Sequence, residues 1–406
     1  MNPMLRVGHA SVDITPGPEL SLIGYDFRQS ELPPGNAGVL DPLFARVLAF
    51  HDDTSPALLC SLDLCILETP LADWLRAALS RKTQVPRERI LLLCSHTHSG
   101  PFPQLPSSPV SRVKPLRLRR ADPARKHNAA YAALLRDRLL DASARALGLL
   151  VPCSLAAAEA PLGIGYNRRV PTPTGVRLCW NPAEFPDLNP GPAPDPTCTL
   201  LGFRPLKGGA QNHLLFSAGV HPVVLGKTSR VVSADWPGAA CRVTEDLLPG
   251  TTVQFAQGAS GEVHPWIATQ HNPEGVNVVG RAAAGSLALL AEGLHPRPAG
   301  SPMIVRTRKL RVARGGVVEL TVWRIGDVPI VALPVELFAS LSAGLRRDIG
   351  APLFLATLAN GWECYWPDRA AFDEGAYEVD AARAWGRKPG DGERLIEAVR
   401  SLIREE

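Results

Sequence analysis

The sequence lacks any apolar run long enough to cross a bilayer. The longest stretches, such as residues 57–65, are interrupted by polar residues, here Ser61 and Asp63. We therefore expect no transmembrane segment. The first six residues also lack the apolar core of a secretory signal, and they lead directly into a predicted strand at 7–14. Export by a classical signal is accordingly not expected.

Closely spaced cysteine pairs are missing as well. The chain has eight cysteines, none of them in a CxxC motif and several inside apolar runs: Cys60, Cys65, Cys94, Cys153, Cys179, Cys198, Cys241 and Cys364. Scattered cysteines of this kind are typical of reduced, buried thiols. Because disulfides are rare in the cytosol, the pattern favours a cytoplasmic protein.

The chain carries little excess charge. Its 43 Lys and Arg against 39 Asp and Glu give a formal net charge of +4, and no nucleic-acid-binding motif is present. We therefore expect a small-molecule or lipid-like substrate and no nucleic-acid partner. With 45% hydrophobic and 20% charged residues, the chain is composed like an ordinary globular protein with a large core. The oligomeric state is left open.

No single linker divides the chain. Its 39 prolines and 35 glycines fall between apolar runs, which predicts one domain over 1–406. The alternative is two intimately packed halves, about 1–205 and 206–406. Two loop-like segments stand out, 104–127 with many basic residues and 181–198 with repeated Pro, Asp and Asn, and both are placed to overhang a site.

Five short apolar runs are each followed directly by a polar loop. The runs are 90–94, 214–220, 251–255, 329–333 and 353–358. Such continuous apolar strands predict an α/β fold with mixed, largely buried sheets flanked by helices, with a site beyond the strand ends. Amphipathic helices are predicted at 128–149 and 392–405.

The polar loops contain residue types that bind metals. His96 and His98 follow the first run, His221 follows the second, and Glu336 and Tyr365 follow the last two. Zinc hydrolases keep about three protein ligands and one open position. Each residue alone also fits a structural role: a hydrogen-bonded histidine, a carboxylate at a helix start, or a packed aromatic ring.

Taken together, these segments resemble the catalytic domain of the neutral, non-lysosomal ceramidases. The order of the segments and the residues within them resemble those of the family along most of the chain. The most specific segment is Ser95-His96-Thr97-His98-Ser99-Gly100-Pro101, and the others are 7–16 (VGHASVDITP), 165–168 (GYNR), 233–238 (SADWPG), 333–336 (LPVE) and 358–365 (LANGWECY), followed by Tyr377-Glu378.

The resemblance implies a neutral-ceramidase-like catalytic domain with zinc held by His96, His221, Glu336 and Tyr365. It also implies that His98, Arg168 and Tyr377 face the amide group of the substrate. Zinc lowers the pKa of its bound water towards neutrality, so that the water can attack an amide carbonyl. The function expected is hydrolysis of a linear amide in an N-acyl amine related to ceramide, as part of lipid metabolism.

The sequence departs from the family at three points. His264 replaces a site serine, which leaves three roles open for it: general base, additional metal ligand, or sign of altered chemistry. The family's C-terminal immunoglobulin-like domain is expected to be missing. The third departure is a basic segment at 112–126, which is either a solvated loop or a site that recruits an acidic or phosphorylated substrate.

Two other functions therefore remain open. One is zinc-dependent acyl transfer or cyclisation in a specialised biosynthetic pathway. The other is a non-catalytic relative that binds a lipid or a partner protein through the same cleft.

Overall fold

The structure, a computed structural model, describes residues 4–25, 28–105, 123–207, 211–296, 302–313, 316–350 and 352–405. Most of the basic segment predicted to recruit an acidic substrate, including Arg112, Lys114, Arg117, Arg119 and Arg120, lies outside these ranges. Arg125 and Lys126 lie inside them, in the first turn of a long helix.

The strands of the described residues fall into larger sheets and short two-stranded ladders. The larger sheets contain β1 (Arg6–Asp13), β2 (Phe44–His51), β3 (Pro56–Leu62), β4 (Ile90–Cys94), β5 (Val151–Pro161), β9 (Thr197–Pro205), β10 (Asn212–Ala218), β11 (Thr251–Gln257), β13 (Ile304–Arg311), β14 (Val317–Ile325), β15 (Val328–Ala332) and β17 (Phe354–Ala356). The ladders contain β6 (Gly165–Asn167), β7 (Arg169–Thr172), β8 (Gly175–Leu178), β12 (Val263–Pro265), β16 (Glu336–Leu337) and β18 (Tyr365–Trp366).

The helices fall mostly in the connections between the strands of the larger sheets and at the C-terminal end. They are α1 (Arg28–Glu31), α2 (Thr69–Thr83), α3 (Pro123–Gly148), α4 (Asp235–Leu247), α5 (Glu274–Glu292), α6 (Ala339–Ile349), α7 (Arg369–Glu374), α8 (Tyr377–Ala384) and α9 (Asp391–Arg404).

An eight-stranded mixed sheet organises most of the chain, in the order β11-β10-β9-β5-β1-β2-β3-β4. β1 and β5 pair only at Arg6 and Val7, so two four-stranded halves meet at a narrow corner. The outer edges of the two halves are bridged by residues 357–360, which hydrogen-bond to β4 on one side and to Gln257 of β11 on the other. A second, four-stranded sheet has the order β13-β14-β15-β17.

One central core is shared by the four-stranded sheet and both halves of the larger sheet. It contains large apolar side chains from all three: Leu48, Phe50, Leu93, Phe203, Leu215, Trp323, Ile330 and Phe354. Each such buried side chain contributes roughly 1.5–3 kcal/mol. Helices cover the outer faces, with α2 and α3 on the first half, α4 and α5 on the second half, and α6 to α9 beside the four-stranded sheet.

The predicted secondary structure is largely confirmed. The run at 90–94 is β4, the helix predicted at 128–149 is α3, and the helix predicted at 392–405 is α9. The alternative role considered for Glu336, a carboxylate in the first turn of a helix, is wrong, because Glu336 pairs with Tyr365 as strand and α6 begins at Ala339. The Glu262 carboxylate accepts the Ala339 and Ser340 N–H groups, which sets the later start.

The remaining expectations concern the cysteines, membrane-spanning helices, cellular location and the number of domains. All eight cysteines are buried and unpaired, as predicted. No helix among the described residues is both long and apolar enough to cross a membrane. The cytoplasmic location stays a prediction. So does the single domain, although the β9–β10 pairing joins the two proposed halves within one sheet.

Candidate metal centre

Three side chains from separate strand ends converge at the centre of the site. His96 follows β4, His221 follows β10, and Glu336 forms β16. Glu336 Oε2 lies 3.4 Å from the Nε2 atoms of both His96 and His221. All three residues are buried, and their ligand atoms lie within 4.8 Å of one another. This group could hold a metal ion.

Backbone carbonyl groups orient both imidazole rings. His96 Nδ1 lies 3.0 Å from the carbonyl oxygen of Cys65, and His221 Nδ1 lies 3.1 Å from that of Val263. Because a carbonyl oxygen only accepts, each Nδ1 is assigned as the protonated nitrogen. Each Nε2 then faces Glu336 and is the nitrogen that can take up either a proton or a metal ion. A carbonyl acceptor at the other ring nitrogen is common among metal-binding histidines.

The spacing of these atoms fits zinc. Ligand atoms about 2.0–2.1 Å from a tetrahedral zinc lie about 3.3 Å from one another, close to the separations of 3.4 Å found here. Glu336 Oε1 is engaged by the indole N–H of Trp362 at 2.8 Å. By contrast, Glu336 Oε2 and His221 Nε2 are buried atoms without a hydrogen-bond partner in the part of the chain that the structure describes.

Tyr365 lies next to this group by strand register. Glu336 and Tyr365 are directly paired in the parallel β16–β18 ladder. Burial and the neighbouring Glu336 raise the pKa of the Tyr365 hydroxyl well above its usual value, whereas the cationic Arg168 opposes this rise. Tyr365 is therefore the neighbour of Glu336 in register, and the charge of Arg168 favours its anionic form.

The charges in this group are strongly coupled. Burial alone would lower the pKa of His96, but Cys65 and Glu336 raise it well above its usual value. Burial alone would likewise raise the pKa of Glu336, yet His96 and His221 hold it well below its usual range. Burial lowers the pKa of His221 to about 4. A proton on His96 thus balances the Glu336 carboxylate, and a metal cation would compete with that proton.

His98 lies beside the three-residue group. Its Nε2 is 3.4 Å from His96 Nε2, but His98 is not a member of the group that His96 forms with His221 and Glu336. A second possible ligand group combines it with Cys65 and His96. Burial, helped by His96 and His221, lowers the pKa of His98 well below its usual value. Arg28, a buried residue, donates to the carbonyl oxygen of His98 and fixes its backbone.

Arg168 and His264 form a hydrogen-bonded pair next to His221. The rings of His221 and His264 have centroids 5.6 Å apart. Arg168 Nε donates to Glu378 Oε1 at 2.7 Å, and Arg168 Nη1 lies 2.7 Å from His264 Nε2. Burial, Arg168 and His221 together lower the pKa of His264 well below its usual value. His264 is therefore a neutral imidazole in this arrangement.

Aromatic rings lie around the pair formed by Arg168 and His264. Trp180 is in ring contact with His264 and with Tyr377, with centroids 5.7 Å apart in each case. Tyr377 also contacts Tyr365 at 5.7 Å and is 41% exposed, so it lies between the buried group and solvent. The predicted overhanging segment 181–198 begins directly after Trp180 and hydrogen-bonds to Asn167 through Gly191.

Strained backbone concentrates in these loops. His96 has a φ of 70°, in the left-handed region that non-glycine residues seldom occupy. The same region is occupied by further non-glycine residues in the segments that flank the site, namely Asp235, Leu358, Asn360, Cys364 and Ala376. Such strain costs about 1–3 kcal/mol per residue and clusters at functional sites.

The structure brings all the predicted site residues into one connected cluster: His96, His98, Arg168, His221, His264, Glu336, Tyr365 and Tyr377. Sequence reasoning missed the partners that hold them, chiefly Cys65, Trp180 and the carboxylate of Glu378. Of these three, only Glu378 could have been found from the sequence, because it is a carboxylate directly after Tyr377. Their contacts are made over long sequence separations.

Comparisons with known proteins locate the fold. No protein-family profile and no curated protein sequence matches the chain. Among solved structures, the neutral ceramidase from Pseudomonas aeruginosa matches 99% of this chain and 74% of its own, with a TM-score of 0.78 and 16% identity. A ceramidase complexed with C2 matches 100% of this chain and 77% of its own, with a TM-score of 0.74 and 15% identity. The predicted fold class is thereby confirmed: the chain has the α/β fold of the neutral ceramidases.

Proposed function

We propose that this chain is a zinc-dependent amidohydrolase that cleaves the linear amide bond of an N-acyl amine related to ceramide. The observation that carries the proposal is the buried group of His96, His221 and Glu336. Its carboxylate oxygen lies 3.4 Å from each of the two Nε2 atoms, a separation close to that of two ligands on one zinc ion. The fold shared with ceramidases supports the choice of an N-acyl amine as the substrate class.

The ligands that we assign to zinc are His96, His221, Glu336 and Tyr365. A zinc ion bound there would act as a Lewis acid and lower the pKa of water towards neutrality. Hydrogen bonds from Nδ1 to backbone carbonyls hold the two imidazoles in position. Trp362 fixes the carboxylate, so the ligands need little rearrangement when the ion binds.

The remaining residues supply proton transfer and orientation. His98, kept neutral by burial, presents Nε2 towards the group, where it can take a proton from the attacking water and return it to the leaving amine. To Tyr377, which is 41% exposed and in ring contact with Tyr365, we assign the donation of its hydroxyl to the developing oxyanion. The products are a carboxylic acid and a free amine, with one water consumed.

The first experiment is metal analysis by mass spectrometry on the purified protein, with amide hydrolysis assayed on the same samples. The variants are His96→Ala and His221→Ala, and the matched control is His295→Ala, since His295 is an exposed histidine. We expect about one zinc per chain in the wild type and the control. Both site variants should lose zinc and activity together.

Two results would contradict the proposal. If the wild type holds no metal under any loading condition, the ligand set is wrong and a binding role for the cleft becomes the better explanation. If a panel of N-acyl amines yields a transferred or cyclised acyl product in place of the free acid, the chain is an acyltransferase or cyclase that uses the same zinc site.

A further inference from the structure

Both ring nitrogens of His264 are engaged by protein groups. Nδ1 lies 3.1 Å from the carbonyl oxygen of Trp180, and Nε2 lies 2.7 Å from Arg168 Nη1. His264 is 3% exposed and Arg168 is 2% exposed, so neither contact is shared with bulk water. The ring has no further nitrogen with which to bind a metal ion or accept a proton.

The identity of the two partners fixes the tautomer. A carbonyl oxygen only accepts, so Nδ1 carries the hydrogen, and a guanidinium only donates, so Nε2 presents its lone pair. A metal ion at Nε2 would have to displace Arg168. A proton at Nε2 would set two N–H donors and two positive charges against each other across 2.7 Å.

The contact with His264 is one of several that hold the Arg168 guanidinium. Arg168 Nε donates to Glu378 Oε1 at 2.7 Å, and Nη2 donates to the carbonyl oxygen of Gly261 at 2.7 Å. Each of the three guanidinium nitrogens thus has its own buried partner. The central carbon of the guanidinium also lies 5.9 Å from the ring centroid of Tyr365, the residue paired in register with Glu336.

We propose that His264 is a positioning residue: a neutral imidazole that accepts a hydrogen bond from Arg168 and so fixes the guanidinium against Tyr365. It acts through Arg168 and takes no part as a base or as a metal ligand. All three guanidinium nitrogens of Arg168 are hydrogen-bonded only when an acceptor occupies the position of His264 Nε2. The kinetic consequence of this assignment rests on the proposed amidohydrolase, whereas the hydrogen bonds themselves do not.

Two amide substitutions separate the two hydrogen bonds of the ring. In His264→Gln, the side-chain amide reaches the position of Nε2 and offers Arg168 an acceptor. In His264→Asn, the shorter amide reaches only the position of Nδ1 and keeps the Trp180 contact alone. Neither amide titrates, and the pair differs by a single methylene, so each serves as the control for the other.

We expect His264→Gln to retain most of the wild-type kcat. The kcat of His264→Asn should fall roughly 100-fold with little change in KM, as for a misplaced catalytic group. Zinc content should be unchanged in both variants. Equal loss of kcat in both would overturn the proposal in favour of a general base. Loss of zinc in both would overturn it in favour of a metal ligand, and full activity in both would show that the contact is dispensable.

A second measurement does not depend on activity. In metal-free protein labelled with ¹⁵N-arginine, the guanidinium protons of Arg168, assigned by their loss in Arg168→Lys, should exchange slowly in the wild type and in His264→Gln. They should exchange much faster in His264→Asn. Equal exchange in the two variants would contradict the proposed hold on Arg168. If this pattern is found and the wild type binds no zinc, the proposed function fails while the positioning role stands.

Discussion

Trp362 donates its indole N–H to Glu336 Oε1 at 2.8 Å, so only Oε2 is left to face His96 and His221. The carboxylate is thereby held in one orientation, in which Oε1 accepts the indole hydrogen bond and Oε2 faces the two histidines. Loss of a residue that orients a metal ligand in this way typically lowers metal affinity or activity by roughly 10–100-fold.

Replacing Trp362 with Phe should therefore weaken zinc binding by roughly 10–100-fold, because the carboxylate loses its fixed orientation. The measurement is competition with a chelator of known affinity. Trp385→Phe is the matched control, since Trp385 packs edge-to-face on Trp362 with centroids 5.1 Å apart. If both variants bind zinc as tightly as the wild type, the indole contributes packing alone.

A second prediction concerns Gly24, which has a φ of +111° and lies against His98. A Cβ added there would lie 2.4 Å from Cγ of His98, so the ring must shift. Gly24→Ala should lower kcat by roughly 100-fold. Zinc content should not change, because His98 lies outside the ligand group.

Gly38 supplies the control for this substitution. Its φ is +115°, and nothing lies within 4 Å of an added Cβ, so Gly38→Ala carries the same backbone strain without the clash. The two variants should lose similar stability in thermal unfolding but differ in kcat. Equal activities would contradict the role assigned to His98.

A third prediction concerns Glu378, a fully buried carboxylate that pairs with Arg168 at 2.7 Å and with Arg169 at 2.9 Å. Glu378→Gln removes the charge that compensates two buried guanidinium groups and should cost about 3–5 kcal/mol of unfolding free energy. Glu374 also pairs with Arg169 but is 44% exposed, so Glu374→Gln should cost less than about 1 kcal/mol. Urea unfolding measures both, and similar losses would show that burial of the Glu378 pair is unimportant.

The sequence predicted the strand ends and the residues that follow them because both depend on local patterns. The apolar run of β4 and the segment from Ser95 to Pro101 are contiguous in the chain, and the predicted strand matches β4 in its bounds. The start of α6 could not be predicted in this way. It depends on Glu262, whose carboxylate reaches across 77 positions of sequence to cap the helix.

The same difference between local sequence patterns and long-range contacts limits what the sequence predicts about the site. The candidate residues could be named from the order of the polar loops and from their resemblance to the neutral ceramidases. The contacts among them join distant segments, as in the 210 positions between Arg168 and Glu378. The two nitrogens of His264 could not be assigned partners from sequence for the same reason, because Trp180 and Arg168 lie 84 and 96 positions away.

A last prediction concerns stability at low pH and rests on His9 and His213, whose rings lie 5.5 Å apart away from the metal centre. Burial lowers the pKa of His213 to about 4, and burial together with His213 lowers that of His9 to about 3. Between pH 6.5 and 4 the unfolded chain therefore binds protons that the folded protein does not. Stability should be complete above pH 6.5 and fall as the pH decreases through this window.

The His213 share of this loss should reach about 3 kcal/mol at pH 4, from a pKa difference of roughly 2.5. His213→Asn can still bond to Thr252, which lies 2.8 Å from His213 Nδ1, but it does not titrate. Urea unfolding with a chelator present, so that metal release does not contribute, should show a flatter pH dependence in this variant. The exposed His295→Asn should leave the slope unchanged. If His213→Asn keeps the wild-type slope, the pKa of His213 is not lowered in the folded state, and the acid sensitivity comes from His9 or from the histidines of the candidate metal centre.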